Sequence, residues 1–103
     1  MTTLDILIAA RQLIDTPEKW AQGDEALLQG RTCAGLAINR TGGYALPQTA
    51  DAYQAVKRAA RCTGVNGLVR FNDTHSHAEV LAAFDKAIAA ERAAPPSQPE
   101  TEN

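Results

Sequence analysis

Apolar side chains recur at helical spacing along most of this chain, and turn signals cut the pattern into segments. In the first segment, Ile6, Leu7, Ala10, Leu13 and Ile14 form a stripe that predicts a helix over about 3–14. Thr2 or Thr3 is its N-cap, and Asp5 suits the positive end of the helix dipole. Asp15-Thr16-Pro17-Glu18 is a restart signal, with Thr16 able to cap and Pro17 fitting the first helical position. A short helical turn through Trp20, ending before Gly23, is expected there. Trp20 should plug the core beside the first helix, with its indole N–H finding an acceptor. Residues 24–31 read equally as a helical turn or a short strand. Thr32 to Asn39 reads as a short buried helix whose small residues Cys33, Ala34, Gly35 and Ala37 admit a close neighbour. The paired glycines in Arg40-Thr41-Gly42-Gly43-Tyr44 mark a loop. A third long helix is expected over about 50–62, capped by Thr49, with Ala52, Tyr53, Val56, Ala59 and Ala60 inward and Gly64 beyond its end. Leu68, Val69 and Phe71, behind the turn dipeptide Asn66-Gly67, suggest a short strand near 65–71. Ser76 and Glu79 form a capping box for a last helix with Val80, Leu81, Phe84, Ala87 and Ile88 on its apolar face.

These elements define a mainly α fold: a compact helical domain over residues 1–93 with three longer helices and one or two short ones. The last helix should pack across the first and third. A length of 103 residues holds one domain. Ala94 to Asn103 carries three prolines, two acids and no large apolar side chain, so it is expected to be a disordered tail. Much of the apolar content is alanine, which makes for a thin core, and a dimer would relieve that thinness.

The net charge of −2 gives no long-range attraction of the whole molecule to nucleic acid or to an anionic membrane. The charge is unevenly spread, however. Arg31, Arg40, Lys57, Arg58, Arg61 and Arg70 face a single acid, Asp51, between positions 31 and 70. There is no long apolar run and no basic leader, so neither a membrane span nor an export signal is expected. Two cysteines are too few for a disulfide scaffold, and a reduced cytoplasmic setting follows.

Three constellations bear on chemistry. Cys33, Cys62, His75 and His77 are the residue types of a zinc site, but no C-x-x-C pair anchors them and no cofactor is expected. Cys33 at a helix start, with His77 as base and Asn72 or Asp73 orienting the ring, has the make-up of a nucleophilic site. The other reading of Asn72 and Asp73 is that they bond backbone N–H groups and shape the turn into the last helix. Lys57, Arg58 and Arg61 share one side of the third helix, and Arg40 or Arg70 can join them from loops in an anion-binding face. No aromatic residues interleave with these cations as single-strand stacking requires. Phosphate-loop, G-x-S-x-G and HExxH motifs are missing from the sequence.

Trp20-Ala21-Gln22-Gly23, Cys33-Ala34-Gly35-Leu36-Ala37, Phe71-Asn72-Asp73 and His77-Ala78-Glu79-Val80-Leu81 follow in that order, with Phe84-Asp85-Lys86-Ala87-Ile88 last. In this order the chain resembles an uncharacterised family of small bacterial and phage proteins with W-x-Q-G, C-x-x-G-A-like and N-D…T-H-x-E-V-L-like segments. The join between Asn72-Asp73 and the His77 helix is shorter here than in the family pattern, and Ser76 stands where threonine is usual. Both fit the same N-cap role. The resemblance supports the fold and transfers no activity. It singles out Trp20, Cys33, Asn72, Asp73 and His77 for mutation.

The function these residues favour is a small intracellular, non-catalytic interaction or accessory module with a protein partner or a second copy of itself. The alternatives are a nucleic-acid or anion-binding protein using the basic 31–70 region, and a Cys–His enzyme using Cys33 and His77.

Overall fold

The computed structural model describes residues 1–23 and 31–94. The ambiguous stretch at 24–30 and the tail from Pro95 lie outside them. Five helices follow one another: α1 (Thr3–Gln12), α2 (Ala34–Gly42), α3 (Pro47–Ala60), α4 (Gly67–Thr74) and α5 (His77–Ala93). None is long and apolar enough to cross a membrane among the described residues.

Two capping boxes start the outer helices. Thr2 Oγ1 accepts the Asp5 N–H while the Asp5 carboxylate accepts the Thr2 N–H, both at 3.0 Å. Ser76 and Glu79 repeat the exchange at 3.1 and 2.8 Å at the start of α5. Each box satisfies two backbone donors that a helix start otherwise leaves to water. The core closes between the helices. Ile6, Leu7 and Ala10 of α1, Ile38 of α2, Val56 of α3, Leu68 of α4, and Val80 and Phe84 of α5 are all buried. α5 packs against α1 and α3, as its apolar stripe requires. Arg11 on α1 grips Asp85 on α5 with two nitrogen–oxygen contacts of 2.6 and 3.2 Å, a partly exposed clasp over that seam.

The structure corrects four sequence expectations. The segment near 65–71 is helical, not a strand, because Leu68 and Asn72 are one turn apart and both buried on the same face. Thr16 to Trp20 forms a single turn closed by Lys19 N–H to Thr16 O. Trp20 then runs extended in a parallel bridge with Thr32, held by Thr32 N–H to Lys19 O at 2.8 Å and Ala21 N–H to Thr32 O at 3.2 Å. α2 continues through Arg40-Thr41-Gly42, and only Gly43, at φ 81°, ends it. Thr49 does not cap α3. Leu46 holds the N-cap position with Pro47 in the first turn, and Thr49 sits inside the helix, buried, with an unpartnered hydroxyl.

Position 42 is a glycine inside the helix because Thr49 of α3 and Ile6 of α1 leave no room for a side chain. A Cβ there would collide with Thr49 Oγ1 and come within 2.9 Å of Ile6 Cδ1. Gly42→Ala is therefore expected to lose about 1–3 kcal/mol in chemical denaturation through overpacking. At the start of α5, loss of the cap in Ser76→Ala should cost about 1 kcal/mol. The Ser76 backbone N–H, then its hydroxyl, hold the Glu79 carboxyl below its ordinary value of 4.5. A lowered folded pKa adds stability that is complete above the ordinary value and is lost as pH falls through the folded one. Glu79→Gln, which keeps the box but removes the titration, should therefore show a shallower loss of stability below pH 4.5 in acid denaturation.

Candidate functional site

The side chain that joins most of the chain is Asn72, on the inward face of α4 and fully buried. Its Oδ1 accepts the indole N–H of Trp20 at 2.8 Å and the backbone N–H of Ala34 at 3.0 Å. Its Nδ2 donates to the Ala21 carbonyl at 3.0 Å and to Asp73 Oδ1 at 3.3 Å. A carboxamide has two acceptor sites and two donors, and all four are used. Ala34 opens α2, whose N-cap residue Cys33 offers no side-chain bond. Asn72 is therefore the cap of a helix 38 positions upstream.

Neighbouring polar groups fasten the same segments. Gln22 Nε2 donates to the carbonyls of Asn72 and His75 at 3.1 and 3.0 Å. Asp73 Oδ1 accepts the Gly23 N–H at 2.8 Å. His77 Nε2 lies 2.6 Å from the Ile14 carbonyl, so it carries the proton and donates it there. The His77 ring also lies against Trp20, with centroids 5.3 Å apart. Asn72, Asp73, Trp20 and His77 thus form one cluster centred on the buried Asn72 amide, with Asp73 at its exposed edge.

A second arrangement lies at the α3–α4 corner. Arg61 ends α3 in the left-handed region, at φ 58°. Lys57 Nζ reaches over to the Gly64 carbonyl at 2.6 Å and pins the turn. Between this turn and α4 is a cavity of about 650 Å³, lined by Arg61, Cys62, Val65, Arg70, Phe71 and His75 among others. The His75 ring stacks on Phe71 at 4.2 Å, and its Nδ1 sits 2.9 Å from the Phe71 carbonyl. Among the described residues, no aspartate or glutamate lines this cavity.

The sequence-derived sites separate accordingly. Arg61 and Arg70 come together at the cavity, whereas Lys57 is occupied in the turn and Arg58 lines a different cleft, beside Lys86 and Glu91. Arg40, also in the basic stretch, is bonded to Thr32 Oγ1 at 3.0 Å. Cys33 is half-buried, and its thiol makes no hydrogen bond to His77, whose Nε2 is committed to Ile14. Cys62 lies after α3, its thiol 3.7 Å from the Lys57 carbonyl. Cys33, Cys62, His75 and His77 make no group of three or more with the placement to hold a metal among the described residues. Tyr53, lying over Gly35, has its phenol pushed up chiefly by burial and further by the two thiols when ionised.

Asn72 and Asp73 do bond backbone N–H groups, but those of distant residues, Ala34 and Gly23, rather than of the turn into α5. Gln22 is the member of this cluster that sequence reasoning misses, although it ties the Trp20 segment to both ends of the 72–75 stretch. Its sequence signal is its place as the glutamine of the W-x-Q-G segment, whose tryptophan alone is singled out. Asn72→Ala would leave the Trp20 and Ala34 donors and the Ala21 acceptor unpaired inside the protein. At about 1–3 kcal/mol for each buried orphan, the variant should lose about 3 kcal/mol or more. The loss should register in urea denaturation, with Trp20 fluorescence shifted to the red in any folded fraction.

Comparison with curated proteins and with solved structures finds no significant match. A match does come from the model of a family of unknown function, DUF6197, and it extends over residues 1–90, from the first capping box through nearly all of α5. It takes in every segment joined at Asn72, and on this span the chain belongs to DUF6197.

Proposed function

We propose that this protein is a small non-catalytic binding module whose contact surface is the α3–α4 corner. The observation that carries this reading is the division of labour between the two arrangements. The polar groups of the Asn72 cluster are used to hold α2, α4 and the Trp20 segment together. Groups without such duties collect at the corner. Val65, which lines the cavity there, is 91% exposed, the most exposed large apolar side chain among the described residues, and Val69 on α4, outside the cavity lining, is 46% exposed. Exposed apolar side chains on this turn and on α4 suit contact with another molecule better than contact with water. The corner is built on a pinned turn, so docking requires little ordering, which favours affinity.

The test is affinity capture from the source lysate, read by quantitative mass spectrometry, with sedimentation velocity to detect self-association. Three proteins are compared: the natural chain, the double variant Val65→Glu/Val69→Glu, and Ala82→Glu on the exposed side of α5 as control. A partner or dimer retained by the natural chain and the control but reduced at least tenfold in the double variant supports the reading. Equal association in all three, or none in any, overturns it.

A further inference from the structure

We infer that the cavity at the α3–α4 corner is a binding site for a small organic anion, one that presents a phosphoryl or carboxylate group to Arg61 and Arg70 and an apolar body to Phe71. This inference rests on the corner being the module's binding surface and names the chemistry it takes. Two observations carry it.

The first is size. About 650 Å³ falls within the range of ligand pockets, roughly 300–1,000 Å³, and far exceeds what one ion fills. The second is charge. Two arginines line the cavity, Arg61 at the end of α3 and Arg70 on α4. Neither makes a side-chain hydrogen bond or ion pair among the described residues, and no carboxylate among them lines the cavity to neutralise these charges. An arginine fork matches both phosphoryl and carboxylate oxygens.

Nucleic acid is the less favoured ligand. Two arginines at one cavity contact one or two phosphates, and the chain as a whole carries a net charge of −2.

The experiment is an NMR titration of the full ¹⁵N-labelled chain at low ionic strength with inorganic phosphate, phenyl phosphate and benzoate. Arg61→Asn removes one guanidinium while tolerating the left-handed backbone, and Arg70→Gln removes the other. Arg92→Gln on α5 is the control, and amide dispersion establishes that each variant is folded. Saturable shifts of amides in 61–75 with phenyl phosphate or benzoate, weakened at least tenfold in each cavity variant and unchanged in Arg92→Gln, support the site. A preference for phenyl phosphate assigns the phosphoryl source, and a preference for benzoate assigns the carboxylate. Tighter binding of either aromatic anion than of inorganic phosphate places the apolar body on Phe71. No saturable shift with any probe, or shifts indifferent to both variants, overturns the site. If the Val65→Glu/Val69→Glu protein loses its partner while none of the three anions binds the natural chain, the ligand class is wrong and the module reading stands. If the anions bind at the cavity while partner association ignores the corner, the anion site stands and the corner is not the partner's contact surface.

Discussion

The buried carboxamide of Asn72 is the contact on which the rest of the arrangement depends. An amide removed from water is costly unless every donor and acceptor finds a partner, because the low-dielectric interior magnifies the penalty for each one left over. Here the four partners come from three places: the Trp20 segment, the start of α2, and the neighbouring Asp73. The same requirement that makes the group expensive to bury therefore fixes how these pieces meet. A leucine at position 72 could fill space, but it would leave Ala34 and Trp20 with buried donors and no acceptor. In a domain whose core draws heavily on alanine, a saturated polar junction supplies specificity that a thin apolar core leaves undetermined.

Local signals are legible in the sequence, and long-range ones are not. Both capping boxes rest on pairs three residues apart, and Thr2 with Asp5, like Ser76 with Glu79, behave as such pairs should. The apolar face of α5 follows directly from spacing. Gly42 shows the limit of that kind of reading. A glycine pair ordinarily ends a helix, but the first glycine is required by the approach of Thr49 and Ile6, which are neighbours only in space. Thr49 resembles a cap because it is a threonine ahead of an apolar run. Pro47 two residues earlier starts the helix instead and draws Thr49 inside it. The 65–71 segment is short enough for strand and helix patterns to coincide, and the burial of Leu68 and Asn72 decides for helix. Trp20, Asn72, Asp73 and His77 stand out in the sequence as individual residues. Their joint role does not, because hydrogen bonds between residues 20, 34 and 72 leave no periodic trace.

The two arrangements also divide the surface. The Asn72 cluster is centred on the buried amide and ties together segments far apart in sequence. The α3–α4 corner is assembled from a continuous stretch, with Lys57 pinning the turn and Arg61 and Arg70 on either side of it. A site built this way inherits its shape from one helix–turn–helix unit, while its orientation is fixed because α4 is anchored through Asn72. Rigid support beneath and unengaged side chains above is the arrangement expected of a binding surface that does not have to reorganise on contact.

The remote cap has a bearing on how the chain is made. Ala34 leaves the site of synthesis well before the amide that satisfies its N–H, 38 positions downstream, has been added. At roughly 5–20 residues per second, several seconds can pass in which α2 has no acceptor at its start except water. α1, by contrast, has its complete cap within its own first turn and needs no later residue to supply it. The order of elements along the chain is thus not the order in which they become self-sufficient: α2 waits for α4, and a nascent chain halted between them exposes the small-residue face of α2 to any helper or protease that meets it.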